Sequence, residues 1–150
     1  MKVLDRVSML LRQKGSVIFS VRPQASVYSA VEAMAEKRVG ALLVIDDGKL
    51  VGVISERDYA RKIILQGRSS KDTLVREIMT PSPVTISCDT SVEEAMRIMT
   101  ENRFRHLPVI DSEGQLAGVV SIGDLVKWIM TSQDEAIAHL ERYITGSVSH

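Results

Sequence analysis

Two stretches of the chain carry residue types at spacings suited to chemistry. Gly118-Val119-Val120-Ser121-Ile122-Gly123-Asp124 leads from an apolar strand into a helix that begins Leu125-Val126-Lys127-Trp128. The same phrase stands earlier as Gly52-Val53-Ile54-Ser55-Glu56-Arg57-Asp58. A carboxylate at such a helix mouth can accept both hydroxyls of a ribose cis-diol, the task an acidic residue performs in dinucleotide folds. The free N–H groups of the helix start suit a phosphate. Gly123 allows close backbone approach, and Arg57 offers a charge-assisted phosphate contact. Arg105-His106-Leu107-Pro108 adds two basic side chains at the start of the strand expected beside Asp124. A plainer reading competes with this one. Ser-x-x-Asp before an apolar helix is itself a capping arrangement, and on spacing alone it outweighs the ribose reading. For His106 a packing or surface role stands beside phosphate contact.

Other chemistries find little support. There is no P-loop, no Ser/His/Asp or Cys/His set with a plausible partner, and no pair of metal carboxylates. The three histidines, His106, His139 and His150, lack the spacing of a metal site. Cys88 is the only cysteine and has Ser87 and Asp89 as neighbours, so nothing adjacent activates it as a nucleophile. A single thiol also fits a reducing compartment.

These residues need elements to position them, and an internal repeat supplies those elements. Aligning Ser26–Asp58 with Ser91–Asp124, with one extra residue in the second turn, leaves close to half the positions identical. Val27/Val92, Ala30/Ala95, Met34/Met99, Leu42/Leu107, Gly52/Gly118 and Asp58/Asp124 are among them. Each copy reads as β-α-β-β-α. The strand candidate Val17–Val21 stops at Arg22-Pro23, and Ser26 opens a helix with Val27, Ala30, Val31 and Met34 on one face. Ala41–Ile45 and Leu50–Ile54 form a hairpin about Asp46-Asp47-Gly48-Lys49, and Asp58–Leu65 is the second helix. After the polar joint Gln66–Thr73 and a short segment, Val75–Met79, the pattern restarts. Strand Val84–Ile86 comes first, then a helix opened by a Ser91/Glu94 capping box, strands Leu107–Ile110 and Leu116–Val120, and helix Asp124–Met130. Helical spacing also marks Met1–Gln13, through Val3, Leu4, Val7, Leu10 and Leu11. It marks Ser132–Ile144 through Ile137, Leu140 and Ile144. Residues 1–15 therefore form an N-terminal helix, 16–73 the first unit with its linker, 74–131 the second unit, and 132–150 a C-terminal helix and tail. A unit of this size buries little core alone, so the expected fold is α/β (α+β), two units packed sheet to sheet about a pseudo-twofold axis.

Composition bounds the partners. The 150 residues carry 19 basic and 19 acidic side chains, which leaves no general footprint for nucleic acid. Arg57, Arg61, Lys62, Arg68, Lys71 and Arg76 could meet a phosphate backbone, but Glu56, Asp58 and Asp72 dilute that run into an ordinary solvated face. Aromatic residues make up 4% of the chain, too few for a base-stacking platform. No apolar run has the length of a membrane span, and Met1–Gly15 lacks a signal-peptide pattern. The cytoplasm is the expected compartment.

The duplicated unit with Gly-apolar-apolar-Ser-x-x-Asp closing each copy resembles a pair of cystathionine-β-synthase (CBS) domains, a Bateman module, over roughly Ser16 to Met130. The resemblance implies a non-enzymatic regulatory module with two clefts for adenosine compounds: AMP, ADP, ATP, S-adenosylmethionine or NAD(H). It implies energy sensing and signal transduction to an unidentified regulated protein, no catalytic cofactor or metal, and a homodimer assembled through helices. By position Asp58 and Asp124 would hold ribose hydroxyls, with Ser55 and Ser121 in support. Arg57, Arg105 and His106 would meet phosphate, near Pro108 and Gly123. The strand segments Phe19-Ser20-Val21 and Val84-Thr85-Ile86 would line the adenine pockets. The copies are unequal: Gly40-Ala41-Leu42-Leu43 stands where the second has Arg105-His106-Leu107-Pro108, and Arg57 matches Gly123. Two sites of different affinity or ligand preference are expected, not two equal ones. The alternative is a protein- or nucleic-acid-interaction module in which both Ser-x-x-Asp motifs are only helix caps.

Overall fold

The computed structural model describes residues 5–15 and 17–148. Met1 to Leu4, including Val3 and Leu4 of the first expected helix, lie outside the described residues, as do Ser16 and the side chains of Ile137 and Ile144.

The first unit follows the hydrophobic pattern closely. After β1 (Ser20–Val21), Ser26 caps α2 (Val27–Lys37), its side chain accepting from the Ser29 N–H at 3.1 Å. Helix α2 buries Val27, Ala30 and Met34, the i, i+3, i+7 stripe, and Arg38 ends it in the left-handed region. Strands β2 (Ala41–Asp46) and β3 (Lys49–Ser55) pair antiparallel through a turn in which Asp47 and Gly48 both have positive φ. That is the requirement of a two-residue hairpin whose twist matches its strands. Strand β3 runs directly into α3 (Glu56–Tyr59) and a π-helical turn over Ala60–Ile64, not the single regular helix expected from Asp58.

The second unit repeats this order. Here β5 (Ile86–Ser87), α5 (Val92–Asn102), β6 (His106–Ile110) and β7 (Leu116–Ser121) lead into α6 (Ile122–Val148). Strands β1 and β5 are shorter and later than Val17–Val21 and Val84–Ile86. Each is a parallel edge strand that pairs at only two positions, Ser20 and Val21 with Leu43 and Val44, Ile86 and Ser87 with Val109 and Ile110. The Ser91/Glu94 capping box is half formed. Ser91 accepts from the Glu94 N–H at 3.0 Å, while the Glu94 carboxylate turns outward to the Arg97 guanidinium. The expected separate tail helix is instead the continuation of α6, because no glycine or proline interrupts Met130-Thr131-Ser132.

The segment that precedes each unit packs on the other one. Helix α1 (Val7–Lys14) inserts Val7, Leu10 and Leu11 into the core formed by Val92, Ala95, Met99, Leu107, Val109, Val120 and Leu125. Helix α4 (Val75–Ile78) and β4 (Thr80–Pro81) join the first unit, with Val75 and Ile78 beside Val27, Met34, Leu42 and Ile54. The backbone contacts match in the two halves. The Val92 N–H donates to the Asp5 carbonyl and the Val27 N–H to the Thr73 carbonyl, both at 2.8 Å. The four-stranded sheet therefore runs β1-β2-β3-β4 and the three-stranded sheet β5-β6-β7. Each fully buried Leu, Ile, Val or Met contributes on the order of 1.5–3 kcal/mol, so neither core is complete without its exchanged segment.

Candidate functional site

The site begins at the β7–α6 junction, where the last strand residue is Ser121 and Asp124 stands in the first helical turn. The backbone N–H of Ser121 donates to Asp124 Oδ2 at 2.8 Å, and the Asp124 N–H donates to Ser121 Oγ at 3.1 Å. That closes a capping box. Asp124 Oδ2 also takes a 2.6 Å ion pair from Lys14 Nζ at the end of α1, which in turn donates to the Val119 carbonyl at 2.8 Å. Oδ1 has no hydrogen-bond partner among the described residues. Burial opposes the charge of this carboxylate, but the Lys14 and Ser121 donors outweigh it and hold Asp124 below the ordinary value of 3.8. It is ionised at neutral pH with one oxygen to spare.

The Asp58 junction has the same box and a different outer partner. Oδ2 accepts from Ser55 N–H at 2.9 Å and Ser55 Oγ at 3.0 Å. Oδ1 pairs with Lys62 at 3.2 Å, one turn along the same helix. Both oxygens of Asp58 are engaged, whereas one of Asp124 is not. This difference bears on the expectation of unequal sites, and it arises from lysines that the repeat alignment does not relate.

A cavity of about 370 Å³ opens beside Asp124, between the two units. The second unit contributes His106, Val119, Ser121 and Asp124. The first contributes Val17, Phe19, Arg38, Val53 and the run Val39–Leu43, and α1 contributes Lys14. The first unit's wall is apolar apart from Arg38, and the other holds the carboxylate and its lysine. His106 lies against Gly40, where an added Cβ would be 3.8 Å from its ring. Burial pushes the His106 pKa down from 6.5, against the pull of Asp124 and with the repulsion of Lys14 and Arg105. The imidazole is neutral at pH 7, so it can hydrogen-bond a phosphate but brings no positive charge to one.

Of the residues singled out in the sequence, Phe19, Ser121, Asp124 and His106 meet in this cavity. The others stand apart from its lining. Ser55, Arg57 and Asp58 occupy the other junction, with Arg57 exposed. Arg105 is exposed and its carbonyl accepts from the Ile122 N–H at 2.9 Å. Pro108 is buried in β6 opposite Val119. Gly123 is exposed, and an added Cβ there would meet only Ser121 Oγ, at 3.7 Å. Ser20 and Val21 sit in β1, one step beyond the lining residue Phe19. Thr85 is exposed, and Ile86 is buried in the second core.

Sequence reasoning missed Lys14 and Arg38. Arg38 did carry a signal, since Arg103 matches it in the repeat and both end a helix with positive φ. Lys14 carried none, because its partner is 110 positions away. Among the described residues no group of three or more His, Cys, Asp or Glu could hold a metal ion, and no helix is long and apolar enough to cross a membrane.

Comparison with known proteins follows the same two halves. The family model for the CBS domain matches residues 16–65 and 75–131. The mitochondrial CBS domain-containing protein CBSX3 of Arabidopsis thaliana is 48% identical over 126 residues, covering 81% of this chain and 61% of that protein. The chloroplastic CBSX2 of the same plant is 35% identical over 134 residues, covering 71% of this chain and 56% of that protein. The chain thus spans about three-fifths of the length of these curated relatives. A solved structure of a protein with CBS domains from Burkholderia ambifaria MC40-6 superposes with a TM-score of 0.82 at 47% identity, covering 86% of this chain and 96% of the other. The structure of CBSX2 in complex with AMP gives a TM-score of 0.67 at 35% identity, over 85% of this chain and 98% of that one.

Proposed function

Because the chain belongs to the CBS domain family, in which two repeats pack as one module, we propose that it is a non-enzymatic sensor of adenosine nucleotides. The observation that carries the reading is the meeting of Asp124, with an Oδ1 that no described residue engages, and the apolar wall of Phe19 and Val39–Leu43 across one cavity. In this reading Asp124 takes the ribose hydroxyls, Ser121 holds the carboxylate in place, and the adenine ring lies on the wall supplied by the first unit. His106 donates a neutral hydrogen bond toward phosphate. The AMP complex of CBSX2 supports the ligand class. AMP, ADP, ATP and NAD(H) remain the ligands to compare, with S-adenosylmethionine beside them.

Signalling follows from the placement of the cavity between units. A ligand that contacts both units favours the arrangement in which both contacts are made, and a partner that binds that arrangement better reads the change. The first unit's motif is a weaker site, since Asp58 must release Lys62 before its Oδ1 is free. A homodimer belongs to the same proposal and is supported by assembly in a structural neighbour, the hexameric CBS-CP12 protein of bloom-forming cyanobacteria. So does a cytoplasmic location, which rests on the single thiol of Cys88. The capping-only reading has one observation in its favour: both Ser-x-x-Asp boxes close completely from their own residues.

Thermal unfolding with a ligand panel separates the two. At a hundred times its Kd, a nucleotide that binds only the folded state adds about 2.7 kcal/mol, a rise of roughly 5–10 °C in Tm for a chain of this size. A rise with at least one of AMP, ADP, ATP or NAD(H) is expected. No rise with any of them at millimolar concentration returns the motifs to helix caps.

A further inference from the structure

The cavity contains a basic residue that the family motif does not supply. Lys14 closes α1, before the matched residues begin at 16, and reaches the second unit's junction because α1 packs there. Its position is held at both ends. Gly15 follows it with φ of 95°, and two acceptors, Asp124 Oδ2 and the Val119 carbonyl, fix the ammonium. An ammonium has three N–H donors, and two are used here. The third has no acceptor among the described residues.

The charges around the cavity can be counted. Lys14 and Arg38 are its cations, Asp124 is its one acid, and His106 is neutral at pH 7. Arg38 makes no ion pair or side-chain hydrogen bond among the described residues. Asp124 is already neutralised by Lys14, so the cavity has one positive charge in excess and two basic groups with donors to spare. The first unit's motif has no counterpart to this arrangement: Lys62 reaches Asp58 from the same helix and donates its other bond to the Ile78 carbonyl.

Resting on the placement of ribose at Asp124, we propose that Lys14 is the specificity-determining residue of this cavity, admitting adenosine compounds that carry a phosphate and disfavouring the cationic S-adenosyl class. The unused donor of Lys14 and the Arg38 guanidinium give a phosphate charge-assisted hydrogen bonds. A sulfonium in the same place meets the excess positive charge of the cavity, and the one carboxylate there is already paired by Lys14. Bare adenosine makes the ribose contact and leaves both basic groups unsatisfied.

The test is calorimetric titration of the full chain with AMP, adenosine and S-adenosylmethionine, for the wild type, Lys14→Gln and Lys14→Arg. Gln keeps a donor for the Val119 carbonyl and removes the charge, and Arg keeps the charge. The wild type should bind AMP at least roughly tenfold more tightly than adenosine, as expected for one added charge-assisted phosphate contact, and S-adenosylmethionine more weakly than AMP. In Lys14→Gln the AMP-to-adenosine ratio should fall about fivefold or more, with adenosine itself little changed, and Lys14→Arg should restore it. Wild-type S-adenosylmethionine binding as tight as AMP overturns the proposal. So does an unchanged ratio in Lys14→Gln while AMP still binds, and both of these results leave the ribose site standing. Failure of the wild type to bind any adenosine compound removes the site and the proposal together.

Discussion

Asp124→Asn is expected to weaken AMP binding about 10- to 100-fold, since a hydrogen bond to a charged acceptor is worth about 1.5–3 kcal/mol and each 1.4 kcal/mol is tenfold. The loss should exceed any cost to folding. Asn keeps a carbonyl that can accept from the Ser121 N–H, and the Lys14 ion pair it gives up is a partly exposed one, worth about 0–1 kcal/mol. The free variant should therefore melt within a few degrees of the wild type, while at the same ligand concentration its ligand-induced rise falls to about half or less. Asp58→Asn is the matched control. It keeps the same backbone acceptor at the other junction and should leave tight AMP binding within about threefold, below half a decade in affinity. Titration calorimetry on the two variants, with melting of the free proteins, measures both effects. Equal losses in both variants would mean that the cavity beside Asp124 is not the tighter site.

Gly52→Val is expected to destabilise the fold by about 3 kcal/mol, the upper part of the range for overpacking a dense core, or roughly 6–12 °C in Tm. A Cβ at Gly52 would lie 2.6 Å from Met79 Sδ and 2.9 Å from the Thr80 carbonyl oxygen. The sulfur belongs to a flexible side chain and can move. The carbonyl cannot, because Thr80 is held in β4 by its pairing with Val53, and Gly52 itself pairs with Pro81. The repeat supplies the comparison. At Gly118 an added Cβ meets Leu11 Cδ2 at 2.9 Å, and its three nearest neighbours are all atoms of that one side chain, so Gly118→Ala should cost about 1 kcal/mol, the lower end of the same range. Denaturant unfolding of Gly52→Val and Gly118→Ala checks the order. A smaller loss for Gly52→Val would mean that β4 is not anchored to β3 as the pairing indicates.

Both glycines belong to the duplicated phrase, and they mark where the sequence could be read and where it could not. The repeat made the two units and their order legible, because Ser26 and Ser91 open helices whose buried stripes coincide and Gly48 turns the first hairpin. The motif also led to Ser121 and Asp124 and, through the neighbouring strand, to His106. Edge strands were harder. Val17 and Val84 look like strand residues by type, but a parallel edge strand extends only as far as its single neighbour, and both side chains are exposed. The exchange of α1 and α4 between units was not legible at all. Helical spacing shows that a helix has an apolar face, not which of two similar cores receives it. Lys14 follows from that exchange, and so do the inequality of the two motif carboxylates and the charge of the cavity. Val39 was hidden for a related reason. The adenine walls assigned to Phe19-Ser20-Val21 and Val84-Thr85-Ile86 were placed by strand position; of these the cavity takes Phe19, and it adds residues just before and within β2.

The central claim is that an adenosine nucleotide sits between the units with its sugar on Asp124. A crystal structure of the protein grown with AMP tests it most directly. The expected result is AMP in the cavity lined by Phe19 and Asp124, with ribose hydroxyls in hydrogen-bond range of Asp124 Oδ1 and the phosphate near Lys14. AMP bound away from Asp124, or an empty cavity at saturating AMP, would contradict the account.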